Sequence, residues 1–172
     1  AKNGSVWNAG FALSMAYTEG NAERRIACRL MKEGVEKISP KFSVDCRALP
    51  ESKLLDEFRA RRLPAFVYRW ILDYPDPHNA VEPFLRSSGY FAALLGYNNP
   101  RADAMIELAA AETDTAKRKA LYFELQALAI YDAPAIFTAD SYNIVVRRAK
   151  VLGWLYHPIQ PYGTLYDVTK LP

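Results

Sequence analysis

A chain of 172 residues is long enough to bury a sizeable core as one domain, or as one lobe of something larger. Its 51% hydrophobic and 24% charged residues fit a globular protein, and a net charge of +3 is too small to make nucleic acid the expected partner. The basic groups Arg59-Arg61-Arg62 and Arg147-Arg148-Lys150 lack interleaved aromatics and read as solvated surface. No apolar run approaches the ~20 residues of a bilayer span. No basic-then-apolar leader is read either, so the chain is expected to carry no address of its own.

Residues 1–9 read as an entry segment with Asn-Gly turn chemistry. From Gly10 to Thr18, Phe11, Leu13, Met15 and Tyr17 alternate with their neighbours, the period of a strand. Asn21 is a natural N-cap, and Ile26, Ala27, Leu30 and Met31 form the apolar stripe of a helix expected to stop at Gly34. Phe42, Val44 and Cys46 predict a second strand over Lys41–Arg47. Pro50 opens a second helix at its first turn, with Leu54, Leu55 and Phe58 inward. A third strand is expected over Ala65–Leu72. This βαβαβ order predicts the α/β class with parallel pairing.

An acidic, proline-locked turn follows, Asp73-Tyr74-Pro75-Asp76-Pro77, and then a short helix over Ala80–Arg86 ending at Ser87-Ser88-Gly89. Asn99 caps a helix with Pro100 at its first position and Met105, Ile106, Leu108 and Ala109 buried. Asp114 caps the next, where Leu121, Leu125 and Leu128 recur at helical spacing. Ala120, Phe123, Ala127 and Ile130 widen that band so far that packing on two sides is expected. Cations at Lys117, Arg118 and Lys119 sit where the helix dipole disfavours them, so at least one of them should meet a carboxylate, with Asp103 and Asp114 as candidates. Ala133-Pro134 ends the helix and hands over to Ala135–Thr138, and a further strand is expected over Asn143–Arg147. Val151–Pro172 reads as an extended tail.

Cys28 and Cys46 fall in a predicted helix and the strand after it; they read as two buried thiols, close enough that a bridge stays open. With His78 and His157 they do not offer metal-ligand spacing, so no metal is expected. Dinucleotide, phosphate-loop, nucleophile-elbow and zinc-protease motifs are missing, so no cofactor and no catalytic residue are expected. What the sequence supplies suits binding. The loop after a strand's carboxyl end is where open α/β sheets hold ligands. Asp73 stands there with Trp70, Tyr68 and Tyr74 nearby, a carboxylate and aromatic faces suited to a cation. Arg69, on the opposite side of the strand from Tyr68 and Trp70, either snorkels to an edge or meets an acid, of which a ligand carboxylate is one. Against this, Asp73 is open to reading as a cap for the following turn and Trp70 as core.

Several stretches together resemble the carboxyl-terminal lobe of the family 5 extracellular solute-binding proteins, the dipeptide-, oligopeptide- and nickel-binding receptors of bacterial ABC importers. They are Gly10-Phe11-Ala12-Leu13 with Tyr17 and Asn21, Trp70-Ile71-Leu72-Asp73-Tyr74-Pro75-Asp76-Pro77, and Gly96-Tyr97-Asn98-Asn99-Pro100 with Asp103. Asp114 with Arg118, Leu121-Tyr122 and Gln126 follow, then Ala133-Pro134-Ala135-Ile136, Arg147 and Val151-Leu152-Gly153. The resemblance implies one lobe of a two-lobe, periplasmic-binding-protein-like (type II) fold, a mainly parallel central sheet flanked by helices. Residues 1–172 would form that single lobe, with 135–172 as hinge-proximal strands and tail. It implies a non-catalytic, periplasmic or extracytoplasmic, membrane-associated solute-binding component that captures a small solute, peptide above all. Its partners would be an ABC transporter membrane permease and an amino-terminal lobe of the same protein, and an isolated lobe is open to self-association. In the family, the carboxylate matching Asp73 holds the free amino group of a peptide. Arg61-Arg62-Leu63-Pro64 departs from the short Gly-Asp-type turn more common in members. The rival readings are a small α/β hydrolase-like enzyme using Asp73, Asp76 and His78, and a ligand-free structural domain.

Overall fold

The computed structural model describes residues 5–139, 144–157 and 165–171. The chain divides into two compact units, Ala1–Trp70 and Ile71–Pro172, each built by local rules of its own.

The first unit opens with a short helix, α1 (Ser5–Ala9), then β1 (Phe11–Thr18), α2 (Ala22–Glu36), β2 (Phe42–Leu49), α3 (Glu51–Arg59) and β3 (Ala65–Phe66). The sheet order is β2-β1-β3, all parallel, as the βαβαβ pattern predicts. Met15 pairs with Cys46 on one side and Ala65 on the other. Met15 and Ala16 are both buried, although adjacent residues point to opposite faces, so the central strand is covered on both. Met15 and Val44 pack with Cys28, Met31 and Val35 of α2. Phe58 of α3 sets its ring 4.7 Å from Phe66. Gly10 needs its left-handed φ of 85°, and a Cβ there would strike the backbone of Lys41.

Several boundaries differ from the sequence reading. Asn21 caps α2 as expected, its side chain accepting from the Arg24 N–H, but the helix runs past Gly34 to Glu36. It buries Cys28, with Met31 and Val35 packed beside it, and leaves Ile26 and Leu30 exposed. Pro50 is the N-cap of α3, one place before the first turn. Cys28 and Cys46 are bonded as a disulfide with Cα atoms 6.1 Å apart, not held as free thiols; packing α2 on the sheet brings them together. Arg61 takes φ 55°, the region glycine favours.

The largest correction is β3, expected over Ala65–Leu72 and found only at Ala65–Phe66. The Val67 N–H still reaches the Ala16 carbonyl at 2.8 Å. The register that pairs Ala16 with Phe66 exhausts β1 at Thr18, after which Gly20 turns the chain away at φ 78°. Beyond Tyr68 the third strand therefore has no β1 residue left to pair with.

The second unit is mainly helical: α4 (Pro77–Leu85), α5 (Tyr90–Leu95), α6 (Pro100–Ala111) and α7 (Thr115–Asp132). Val81, Leu85, Ala102, Met105, Ile106, Ala109, Tyr122, Leu125 and Ala129 make its core. The caps Asn99 and Asp114 and Pro100 at the start of α6 are where the sequence puts them. The α4 helix begins three residues before the expected Ala80, because Asp76 caps it and Pro77 takes its first position. The six-residue α5 left no periodicity to read; Gly96 at φ 76° closes it. Leu108, expected inside, is exposed. On α7 the buried face is Tyr122, Leu125 and Ala129, while Ala120, Phe123, Ala127 and Ile130 face outward, so the helix is packed on one side only among the described residues. Ile144–Arg147 are not a strand, and Asn143, where that strand was to begin, lies outside the described residues. The closing stretch is not merely an extended tail: Val151–Leu152 (β4) pairs antiparallel with Thr169–Lys170 (β5).

Candidate functional site

In the first unit, β1 connects to β2 on one side, and the chain then crosses to β3 on the other. The carboxyl ends of β1 and β3 thus form a switch point, the edge at which α/β sheets bind ligands. Arg24, near the start of α2, gathers this edge. Its guanidinium donates to Thr18 Oγ1, lies 3.5 Å from Glu51 Oε2 and stacks 4.7 Å from the centroid of the Tyr68 ring. The Tyr68 hydroxyl donates to Glu51 Oε1 at 3.4 Å. Tyr68 is therefore half-buried and tied into a polar cluster that the sequence reading missed. The signal was available: Arg24 and Glu51 each open a helix directly after a strand. Trp70 is half-buried, and Arg69 is exposed with no ion pair among the described residues.

In the second unit, the acidic turn has a defined shape. The Asp73 N–H donates to the buried Asn79 side chain at 2.8 Å, and the Asp76 N–H to the Tyr74 carbonyl at 2.9 Å. Asp76 Oδ1 accepts from the His78 N–H at 2.8 Å, so it is Asp76, not Asp73, that caps the helix after the turn. The same oxygen accepts from Arg118 Nη2 at 2.8 Å. Arg118 also donates through Nε to the Ala109 carbonyl at 3.0 Å and lies over the Tyr122 ring. Of the three cations at the start of α7, Arg118 thus meets a carboxylate, and it is Asp76, neither Asp103 nor Asp114. Asp103 instead accepts from the Ser87 N–H and Asp114 from its own helix start. The bond from Arg118, more than the opposing burial, holds the Asp76 carboxyl below its usual range.

Asp73 itself is exposed, and among the described residues its carboxylate makes no hydrogen bond or ion pair. Tyr74 beside it is 43% exposed. This leaves an acidic side chain and an aromatic face on a turn whose backbone is fixed, an arrangement able to accept charge-assisted hydrogen bonds from a cation. His78 has its Nδ1 buried without a hydrogen-bond partner among the described residues. A second polar knot joins Tyr97 and Asn99 to Asp132, both donating to its Oδ2 at 2.7 and 2.6 Å. Burial, reinforced by that bond, pushes the Tyr97 phenol up to about 12. Among the described residues no cluster of His, Cys, Asp or Glu could hold a metal ion, and no helix is long and apolar enough to cross a membrane.

No protein-family model matches the chain. It is similar to heme-binding protein A of Haemophilus influenzae (strain ATCC 51907 / DSM 11121 / KW20 / Rd), 30% identical over 108 residues, which is 62% of this chain and 20% of that protein. Among solved structures it is similar to the peptide-binding pheromone receptor PrgZ, with TM-score 0.72 and 17% identity over 94% of this chain and 30% of that one. It is also similar to the oligopeptide-binding protein AppA of Bacillus subtilis in complex with a nonapeptide, with TM-score 0.71 and 19% identity over 94% of this chain and 32% of that one. The chain spans a fifth of the curated relative's length and about a third of these two structures. Its α/β fold, a parallel sheet flanked by helices, is thus that of one part of the periplasmic binding proteins, and its resemblance is to the family 5 extracellular solute-binding proteins.

Proposed function

We propose that the chain is a ligand-binding lobe, residues 1–172 taken together, of a non-catalytic solute-binding component of an ABC importer, and that its ligand is a di- or oligopeptide. The observation that carries this reading is Asp73: an exposed carboxylate with no partner among the described residues, on a backbone pinned by Asn79. Such a group is suited to the amino terminus of a peptide, with Tyr74 beside it. Tyr68, Arg69 and Trp70 of the first unit are proposed as further ligand contacts. The ligand class is supported by the likeness to a peptide-binding pheromone receptor and to an oligopeptide-binding protein in complex with a nonapeptide. The disulfide between Cys28 and Cys46 supports a periplasmic or extracytoplasmic location, because such bonds persist in oxidising compartments. A membrane permease and a second lobe are the partners this reading requires. The enzyme alternative is weaker because the Asp76 carboxylate is already engaged by Arg118 and the α4 start.

The test is a titration of the isotope-labelled 172-residue chain with trialanine and with N-acetyl-trialanine, followed by amide shifts. Trialanine should bind about tenfold more tightly, the scale of one charge-assisted hydrogen bond. Asp73→Asn should abolish the difference. Equal binding of both peptides by the unsubstituted chain would remove the reading.

A further inference from the structure

Asp73 lies three residues before a carboxylate that it does not touch, and that second carboxylate anchors the turn. The segment from Asp73 to Asn79 is tied at two points. At its start the Asp73 N–H rests on the Asn79 side chain, itself 7% exposed. At its centre Asp76 takes two donors on one oxygen, the His78 N–H and Arg118 Nη2, both at 2.8 Å. Arg118 lies 42 residues further along the chain and is itself immobilised: Nε on the Ala109 carbonyl, Nη2 within 3.2 Å of the Tyr122 hydroxyl, and its guanidinium 5.1 Å from that ring's centroid. Tyr122 is a core residue. The path from core to turn therefore runs Tyr122, Arg118, Asp76, and then through the cap to the backbone that carries Asp73.

We propose that Arg118 is a positioning residue for ligand binding: through Asp76 it fixes the turn so that the Asp73 carboxylate is presented in one orientation. The inference rests on the reading of Asp73 as the group that holds a peptide's amino terminus. Without Arg118, the turn would carry two carboxylates three residues apart, with only the helix cap to direct one away from the other. The guanidinium takes one carboxylate out of competition and leaves the other for the ligand. A bidentate-capable, always-charged side chain suits the task, since it holds its partner by direction as well as by charge.

The experiment uses the same two peptides and the 172-residue chain with Asp76→Asn and Arg118→Ala. Asp76→Asn is the cleaner variant, because asparagine caps a helix as well as aspartate and loses only the charge. Both variants should keep the far-ultraviolet spectrum of the fold. Both should reduce the roughly tenfold preference for trialanine over N-acetyl-trialanine to twofold or less. Amide exchange at Asp73 should accelerate, while exchange within α6 and α7 stays as it was. Should Arg118→Ala fail to fold, Asp76→Asn decides alone. If Asp76→Asn keeps the full preference while Asp73→Asn loses it, the positioning role is wrong and the Asp73 reading stands. If the unsubstituted chain shows no preference, the Asp73 reading fails and takes the inference with it.

Discussion

At the scale of single residues, the ion pair between Arg118 and Asp76 has a sign that can be measured. Its side chains are 28% and 32% exposed, so it is neither a free surface pair nor a fully buried one. The Asp76 carboxyl is held below its usual range in the folded state, first by the Arg118 bond and then, against burial, by the His78 N–H. A depressed folded value means that the stabilisation is fully present above the unfolded carboxyl's range near ~3.9 and is lost as pH falls through the folded value. Asp76→Asn should therefore destabilise the chain by roughly 1 kcal/mol near neutral pH, the difference between a charged and a neutral acceptor for the Arg118 bond. As the pH is lowered through the folded value, the gap between the denaturant concentrations that unfold the variant and the parent should narrow. Urea titrations at neutral pH and at successively lower pH check this; a gap that stays constant on acidification would mean that the carboxylate charge is not what stabilises the turn.

At the scale of elements, α7 shows how a pattern can be right about the helix and wrong about its surroundings. Asp114 caps it and Leu125 lies wholly inside, both as the sequence implies. Its second apolar row, Ala120, Phe123, Ala127 and Ile130, is exposed among the described residues. Periodicity measures the width of an apolar band and cannot say whether a second element arrives to cover it. Leu125→Ala should cost about 2–5 kcal/mol of stability, whereas Phe123→Ala should stay below about 1 kcal/mol. Paired thermal melts distinguish them, and equal losses would show that the outer row is covered. The same limit explains β3. Residues 65–72 have the composition of a strand, but pairing needs a neighbour, and β1 ends at Thr18.

At the scale of the whole molecule, the chain covers about a third of its structural neighbours, and what bears on its association is the apolar surface among its own described residues. Exposed Phe123, Ile130, Tyr131, Ile136 and Phe137 follow one another in the second unit, and Tyr74 is also open. Tyr68 and Trp70 of the first unit are half-buried. Apolar exposure of this kind favours association. Sedimentation equilibrium should show the average mass rising with concentration, and Ile130→Lys with Phe137→Lys should suppress the rise. A constant monomer mass over a hundredfold range would refute the expectation.

The sequence by itself determined the parallel α/β order of the first unit, the caps Asn21, Asn99 and Asp114, and the position of the acidic turn. Those features rest on alternation, helical spacing and capping chemistry, all of which act within a few residues. It also exposed Asp73 as the candidate binding group. Only the tertiary structure decided that Cys28 is bonded to Cys46, that Arg118 meets Asp76, and that Arg24, Glu51 and Tyr68 share one sheet edge. It alone paired β4 with β5 and ended β3 after two residues. Each of these is a meeting of residues distant in the chain, set by packing and register, and no local pattern of residue types encodes which of several possible partners arrives.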